Sequence, residues 1–462
     1  MAKVLLIEPH SDIFKKEIQK RVDSPLNLLF LATFIQDKHQ VKVYDRNIYP
    51  NDEDFSNLLK DYSPDIVGIT SMTSLMLYDL MRVAKLVKQL NKNTTIIVGG
   101  THATIEPESL LNEPYIDYVL RGEGEEAFLE FCDTFDKNKN NLKKLKNINL
   151  NPMRPLMNME DLKLPDYSLI EIEKYEHFYV TLSRGCIGSC TFCSNHKMWG
   201  KNNQPFVRMF NIEKCFAMFD NLINKYNIRN FSLMDDNFIT FKERVKTVCN
   251  YLEGKKMNFF CFGRADCIND EILHYLKKAG CHTLEIGVES GSQRILDFLD
   301  KRTTVQQNED AIKCVEKNGI TCNSSIMVGV ASETVEDVNM TLNFIKKVKP
   351  SCPDAHIFIP MPGTPIFEYC IDHKLIIKPK TLEEWANWTR DTSLESGITH
   401  NVSEIPDEYI LKIAKEIRNY RLIRNKLKRL QFWIKKGQFK QALQSSVLFL
   451  RRKIKGNVKS NN

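Results

Sequence analysis

Three cysteines, Cys186, Cys190 and Cys193, lie on one short stretch, Ser183-Arg-Gly-Cys186-Ile-Gly-Ser-Cys190-Thr-Phe-Cys193. This Cys-x3-Cys-x2-Cys spacing puts three thiolates on a single loop, able to hold three irons of a cubane cluster. Soft thiolates select iron–sulfur or zinc, whereas hard cations want oxygen. Three protein ligands leave one iron open to a substrate or cofactor. A closed structural zinc site wants a fourth ligand, and His196 is the nearby candidate. The loop follows the apolar run Tyr179–Ser183, and the carboxyl end of a barrel strand is where such folds keep their active sites. The cluster is therefore the reading adopted. Cys215, Cys249, Cys314 and Cys322 fall on helical or strand patterns and read as packing. Cys261 and Cys267 flank the end of a later strand without the spacing of a second cluster.

A loop with this task needs strands to carry it. From Phe178 onward, strands are expected at Tyr179–Ser183, Asn230–Met234, Phe259–Gly263, Thr283–Val288, Thr321–Val328 and Ala355–Ile359, with helical patterns between them. Six such units predict an incomplete (β/α)6 barrel over residues 176–375. Before it, residues 1–136 alternate strands (Val4–Ile7, Gln40–Tyr44, Ile66–Thr70, Thr95–Val98, Ile116–Leu120) with amphipathic helices. That pattern is α/β, a doubly wound parallel sheet of Rossmann-like type. Ligands on such sheets bind beyond the carboxyl ends of the strands. Those ends read Thr70-Ser71-Met72-Thr73, Gly99-Gly100-Thr101-His102 and Arg121-Gly122-Glu123-Gly124-Glu125, small and glycine-bearing enough for a large ligand to approach backbone. Residues 137–175, polar and rich in Asn and Lys with Pro152, Pro155 and Pro165, read as a linker. Residues 376–462 form a helical, basic carboxyl-terminal region.

Composition is that of a globular protein, 42% hydrophobic and 27% charged over 462 residues, which is two to three domains in length. The longest apolar run, roughly Leu26 to Ile35, is about half of what a membrane-spanning helix needs. The first residues read as a buried strand, not a signal peptide. With no export signal, the cysteines are expected to be reduced and the protein cytoplasmic. The net charge of +7 is unevenly placed: residues 411–455 hold 15 Lys or Arg against the single acid Glu416, so the rest of the chain is acidic on balance. Nucleic-acid binding by the body is not expected.

The cysteine loop and the strand ends together resemble the radical SAM superfamily, in the subgroup with a cobalamin-binding domain ahead of the barrel. The resemblance runs over residues 1–375. It implies a 4Fe–4S cluster on Cys186, Cys190 and Cys193, whose open iron chelates S-adenosylmethionine (SAM). One-electron reduction of SAM then releases a 5′-deoxyadenosyl radical. It places Leu233-Met234-Asp235-Asp236-Asn237 at the methionyl amine of SAM, with Asp236 the better of the two acids; a helix or turn cap is the plain alternative. Gly287-Val-Glu289-Ser290-Gly291-Ser292 matches the segment at the ribose and carboxylate of SAM, or else Ser292 is simply an N-cap. Gly329 lies in the segment resembling the adenine side, though without the proline usual there. Arg264 is a SAM or substrate contact, or a structural ion pair. In the amino-terminal domain, Ser71, Thr73, Gly99 and Gly100 fall where the family houses the nucleotide tail of cobalamin. The Asp-x-His-x-x-Gly motif that supplies a cobalt ligand elsewhere is missing, and His10 does not replace it. The implied activity is methylation of an unactivated carbon in a small-molecule or lipid-like substrate, with a low-potential flavodoxin or ferredoxin as electron donor. The rivals are an oxidase or cyclase of the anaerobic porphyrin type, and an iron–sulfur electron carrier or sensor.

In the basic tail, Ile410, Ile413, Ile417, Tyr420, Ile423, Leu427, Leu430 and Ile434 recur in steps of three and four, one face of a helix. Packing across the barrel is the expected use of that face. The alternative is peripheral contact with anionic lipid, with Phe432 and Trp433 as interfacial anchors.

Overall fold

The computed structural model of the protein describes residues 1–11, 22–137, 150–200, 205–389 and 397–420. Two parallel sheets carry the chain. In the first, β1 (Lys3–Glu8), β2 (Gln40–Asp45), β3 (Ile66–Ser71), β4 (Thr95–Gly100) and β5 (Tyr118–Val119) are arranged in the order β2-β1-β3-β4-β5. Near-continuous apolar runs, such as Val4 to Ile7 buried on both faces, are what a strand covered by helices on each side requires. The order reverses direction between β1 and β3, and the crevice of such a sheet opens beyond the strand ends at that point.

In the second sheet, β6 (Phe178–Val180), β9 (Asn230–Leu233), β10 (Asn258–Gly263), β11 (Cys281–Glu289), β12 (Thr321–Val328) and β13 (Cys352–Ile357) lie side by side in chain order, all parallel. The six-stranded expectation holds, with one departure. The run read as Tyr179–Ser183 ends as a barrel strand at Val180. The chain then starts a separate antiparallel hairpin, β7 (Ser183–Cys186) against β8 (Phe206–Met209). Gly185 permits the hairpin: its φ is +102°, and a Cβ there would lie 1.9 Å from the Phe206 carbonyl oxygen. The cysteine loop therefore hangs from a hairpin above the barrel rather than directly from a barrel strand.

The apolar run at Leu26 is the helix Leu26–Ile35, wedged between the two sheets. Leu29 and Phe30 join the core of the second sheet, while Leu28, Ala32 and Ile35 join the core of the first. A helix buried on both sides is apolar all round. The described part of the 137–175 segment, from residue 150, is a packed strap rather than a free linker: Met159, Leu162 and Tyr167 are buried in the core of the second sheet. No helix of the described residues is long and apolar enough to cross a membrane.

Residues 407–420 are helical. Ile410, Ile413 and Ile417 are buried in the barrel core, and Arg418 Nε donates to the Ala355 carbonyl at 3.0 Å. Over this length the apolar stripe packs on the barrel. Ile423, Leu427, Leu430, Phe432, Trp433 and Ile434, on which the lipid alternative rests, lie outside the described residues. Ile413→Ala should cost about 2–5 kcal/mol in a denaturant melt of the full chain, the range for emptying a core site. A cost within about 0.5 kcal/mol, as at a surface position, would detach this helix from the core.

Candidate active site

Cys186 ends β7, and Cys190 and Cys193 follow on the loop. Several bonds fix that loop from below. The Thr191 amide donates to the Leu299 carbonyl at 2.9 Å, the Ile366 amide to the Thr191 carbonyl at 3.0 Å, and Ser189 Oγ to Asp300 at 2.5 Å. Cys186 Sγ accepts from the Gly188 amide at 3.3 Å. A Cβ built on Gly188 would stand 3.6 Å from both Cys186 Sγ and Cys190 Sγ, so the two sulfurs share the space over one bare glycine. Burial raises both the Cys186 and Cys193 thiols, Cys193 to about 11, and the Asp236 carboxylate adds to the rise in each. Their protons leave when a metal takes the sulfur. Among the described residues no three His, Cys, Asp or Glu side chains close on one point as the ligands of a single ion do. Three soft thiol donors on one loop are the donor set of a cluster, one sulfur to each of three irons.

The acids after β9 divide their work. Asp235 is buried and accepts from the Leu182 amide at 2.7 Å and Ser183 Oγ at 2.5 Å. Burial pushes its carboxyl up to about 6. It locks the start of the hairpin. Asp236 accepts from the Gly185 amide at 3.1 Å and stands beside the cysteines. At the end of β11, Glu289 has a φ of +59°, a strained conformation for such a side chain. Its Oε1 accepts from Lys301 Nζ at 2.7 Å, both groups buried. Gly287 makes room, since a Cβ there would lie 2.2 Å from Glu289 Oε1. Ser290 is fully buried and turned away, its hydroxyl against Thr341 Oγ1 at 3.1 Å. Ser292 holds the N-cap position of Gln293–Phe298 but does not cap it; its hydroxyl donates to Asp337 at 2.6 Å. Gly329 has a φ of +86°, and its amide donates at 2.6 Å to the buried Glu333, whose carboxyl burial raises to about 7.

In the first sheet, a cavity of about 290 Å³, open to solvent, lies over the ends of β3 and β4. Gly99 borders it with nothing nearer to its missing Cβ than the Leu120 carbonyl at 3.8 Å, and Gly122 and Gly124 are similarly bare. Bare glycines at the strand ends let a large ligand lie against backbone there, as cobalamin would. Ser71 borders it too, its hydroxyl donating to the Gly99 carbonyl at 2.6 Å. Gly100, at φ +96°, is constrained by sterics instead: a Cβ would lie 2.7 Å from the Ser71 carbonyl oxygen. Thr73 is buried against His102, Oγ1 to Nδ1 2.8 Å, and His102 is in turn bonded to Ser109. Burial lowers His102 to about 4, so it is a neutral packing group rather than a surface residue.

The far wall of the cavity belongs to the second half of the chain: Arg184, Met198 and Trp199 border it. Arg184 donates from Nη1 to Glu123 at 2.5 Å and from Nη2 to Glu125 at 2.6 Å. Its guanidinium also lies 5.3 Å from the ring centres of Phe30 and Trp199. Arg208, on β8, holds Glu123 at 2.9 and 3.0 Å. The glycines of the Arg121–Glu125 loop face the cavity, while its acids clasp the cysteine hairpin. Sequence reasoning missed this clasp and Lys301, because one chain carries no signal for pairs 12 to 85 residues apart.

Residues 22–131 match the family model of the B12 binding domain, and residues 180–345 that of the radical SAM superfamily. An uncharacterized methyltransferase of Pyrococcus horikoshii, PH0819, is 32% identical over 431 residues, covering 90% of this chain and 91% of that protein. The chain belongs to the radical SAM superfamily, in the group with a B12-binding domain. It is a radical SAM enzyme, and its cofactors are a 4Fe–4S cluster, SAM and cobalamin. The anaerobic magnesium-protoporphyrin IX monomethyl ester cyclase of Rubrivivax gelatinosus is 26% identical over 328 residues, 66% of this chain and 58% of that protein. The solved radical SAM methyltransferase TsrM of Kitasatospora setae, with cobalamin and a [4Fe-4S] cluster bound, shares the fold at a TM-score of 0.66 and 14% identity, over 85% of this chain and 86% of that one.

Gly99→Val should fold, because its Cβ meets nothing closer than the Leu120 carbonyl at 3.8 Å, and should lose cobalamin uptake while keeping its iron. Corrinoid and iron assays after anaerobic reconstitution check both, and full corrinoid occupancy counts against this cradle. Arg184→Met leaves Glu125 buried without its cation and should destabilise by about 3–5 kcal/mol. Burial raises the Glu123 carboxyl, but Arg208 and Arg184 outweigh it and hold the group below the usual range. A depressed folded value gives stability that is present above the ordinary glutamate pKa and lost as pH falls through the lowered one. Acid melts of wild type should show that loss, and the Arg184→Met chain should show less of it.

Proposed function

We propose that the protein is a cobalamin-dependent radical SAM methyltransferase acting on an unactivated carbon of a small-molecule or lipid-like substrate. The observation that carries this reading is the shared cavity. The glycine cradle of the first sheet and the hairpin bearing the cysteines are opposite walls of one space. Two reactive cofactors acting on one substrate need such a common space. The name methyltransferase on the relative that spans nine tenths of this chain supports the reading. On this assignment residues 1–136 serve cobalamin, 176–375 serve SAM and 137–175 connect them, followed by the basic carboxyl-terminal region 376–462.

Bound there, the cluster with SAM supplies a hydrogen-abstracting radical, and cobalamin supplies a methyl group. The chain's own residues do the rest. Cys186, Cys190 and Cys193 would hold three irons and leave the fourth to SAM. Asp236, beside them and bonded to the Gly185 amide, suits the ammonium of SAM. Glu289, Ser290 and Gly329 frame the remaining contacts; the Ser290 hydroxyl would act through its backbone turn, since its oxygen is spent on Thr341. Ser71, Gly99 and Gly100 would shape the cobalamin cradle, and Thr73 would support it from beyond its lining, bonded to His102. Arg184 and Trp199 would wall the cradle on the side of the cysteine hairpin. A flavodoxin or ferredoxin in the cytoplasm would supply electrons at low potential.

The cyclase relative carries a second reading, in which the same parts oxidise rather than methylate. Anaerobic turnover with SAM, cobalamin and a reductant separates them. Methylation predicts S-adenosylhomocysteine together with 5′-deoxyadenosine, and oxidation predicts 5′-deoxyadenosine alone. Cys190→Ala should lose most of its iron and all SAM cleavage; wild-type 5′-deoxyadenosine from that variant would remove the cluster assignment.

A further inference from the structure

Arg264 follows β10 and is buried, only 7% exposed. Its amide donates to Asn237 Oδ1 at 3.2 Å, tying the end of β10 to the acidic loop after β9. One edge of its guanidinium is fully used. Nε and Nη2 fork onto Asp266 at 3.0 and 2.9 Å, and Nη2 also donates to the Lys301 carbonyl at 2.8 Å. Of the five N–H groups of an arginine, this leaves the two on Nη1. Nη1 faces the cysteine loop and lies 3.8 Å from Cys190 Sγ in donor geometry. The approach depends on Gly188. A Cβ there would lie 2.9 Å from Arg264 Nη1 and 3.6 Å from the sulfurs of Cys186 and Cys190. A guanidinium and two sulfurs thus converge over the one residue in the loop with no side chain to separate them. Asp266 sits on the opposite edge and is partly exposed, so the pair presents its positive end to Cys190.

The geometry assigns Arg264 to tuning the cluster, as a charge-assisted donor to the Cys190 sulfur that favours the reduced state. The assignment rests on the proposed cluster ligation by Cys186, Cys190 and Cys193. Cluster potentials are set by charge, exposure and hydrogen bonds to the sulfurs, and groups around a metal site orient and tune its ligands. Reduction adds an electron to a thiolate-bound cluster, and a cation at contact distance in a dry site stabilises the more negative state. Arginine suits the task because it cannot shed its proton. Arg264 is therefore a positioning and tuning residue, acting through Cys190.

The test is a redox titration of the full-length, anaerobically reconstituted protein, followed by electron paramagnetic resonance. Arg264→Gln should carry wild-type iron and sulfide, and its midpoint should fall by at least a tenfold change in the reduction equilibrium, about 59 mV for one electron. A midpoint unmoved at full iron content overturns the assignment. If Arg264→Gln holds less iron, Gly188→Ala decides, since its methyl pushes the guanidinium tip off the sulfur and leaves every charge in place. A lowered midpoint in that variant supports the assignment, and an unmoved one overturns it. Failure of the cysteine ligation itself reads differently: Cys190→Ala then keeps its full iron, and the role of Arg264 falls with it.

Discussion

The ion cluster of Glu123, Glu125, Arg184 and Arg208 is the joint on which the two halves of the molecule depend. Each of these side chains is nearly withdrawn from water, at most 11% exposed. Charges so placed survive only because two carboxylates face two forked cations, with the Met157 amide and carbonyl taking further bonds. A buried network of this kind adds little to stability compared with apolar packing, but it tolerates few geometries. Here that restriction has a use. Arg184 is two residues from Cys186, and Glu123 lies between two glycines that border the cavity. The bond therefore sets the height of the cysteine loop over the cradle, which neither sheet could do alone.

What could be read from one chain follows the range of the interactions involved. The cysteine loop was legible because its three ligands are neighbours in sequence. The strand ends were legible because glycine, serine and threonine after an apolar run have a local meaning. Both sheets emerged from period and alternation, as did the first part of the apolar stripe at Ile410, Ile413 and Ile417. The hairpin of β7 and β8 was not legible. Thr181, Leu182 and Ser183 carry the strand pattern of β6 onward, Gly185 alone does not mark where it stops, and only the pairing with Phe206–Met209 reveals the break. The packing of the connection from residue 150 was not legible for a related reason. Its Asn, Lys and Pro content suggests a linker, yet Met159, Leu162 and Tyr167 at irregular spacing are what bury it. His102 and Thr73 had the residue types of a ligand site. They are bonded to each other, with Ser109 behind, and nothing local in the sequence announces that chain.

Glycine explains how so many polar groups reach this centre without clashing. Gly185 lets β7 pass the Phe206 carbonyl, Gly287 lets the Glu289 carboxylate fold over the strand, and Gly188 lets a guanidinium reach the sulfurs. At each position an added Cβ meets a polar atom at under 3 Å. These glycines are not turns of convenience, because only Gly185 of the three requires a positive φ. They are the points where a charged or carbonyl group must lie flat on backbone. The entropic cost of a glycine within ordered structure is of the order of 0.5–1 kcal/mol each. That cost is small beside the penalty for holding the buried Glu289 or Arg264 away from its partner, because an unpaired buried charge is far more expensive. The glycines and the ion pairs are therefore one device: bare backbone permits the close approach, and the close approach keeps buried charges paired around the cysteines.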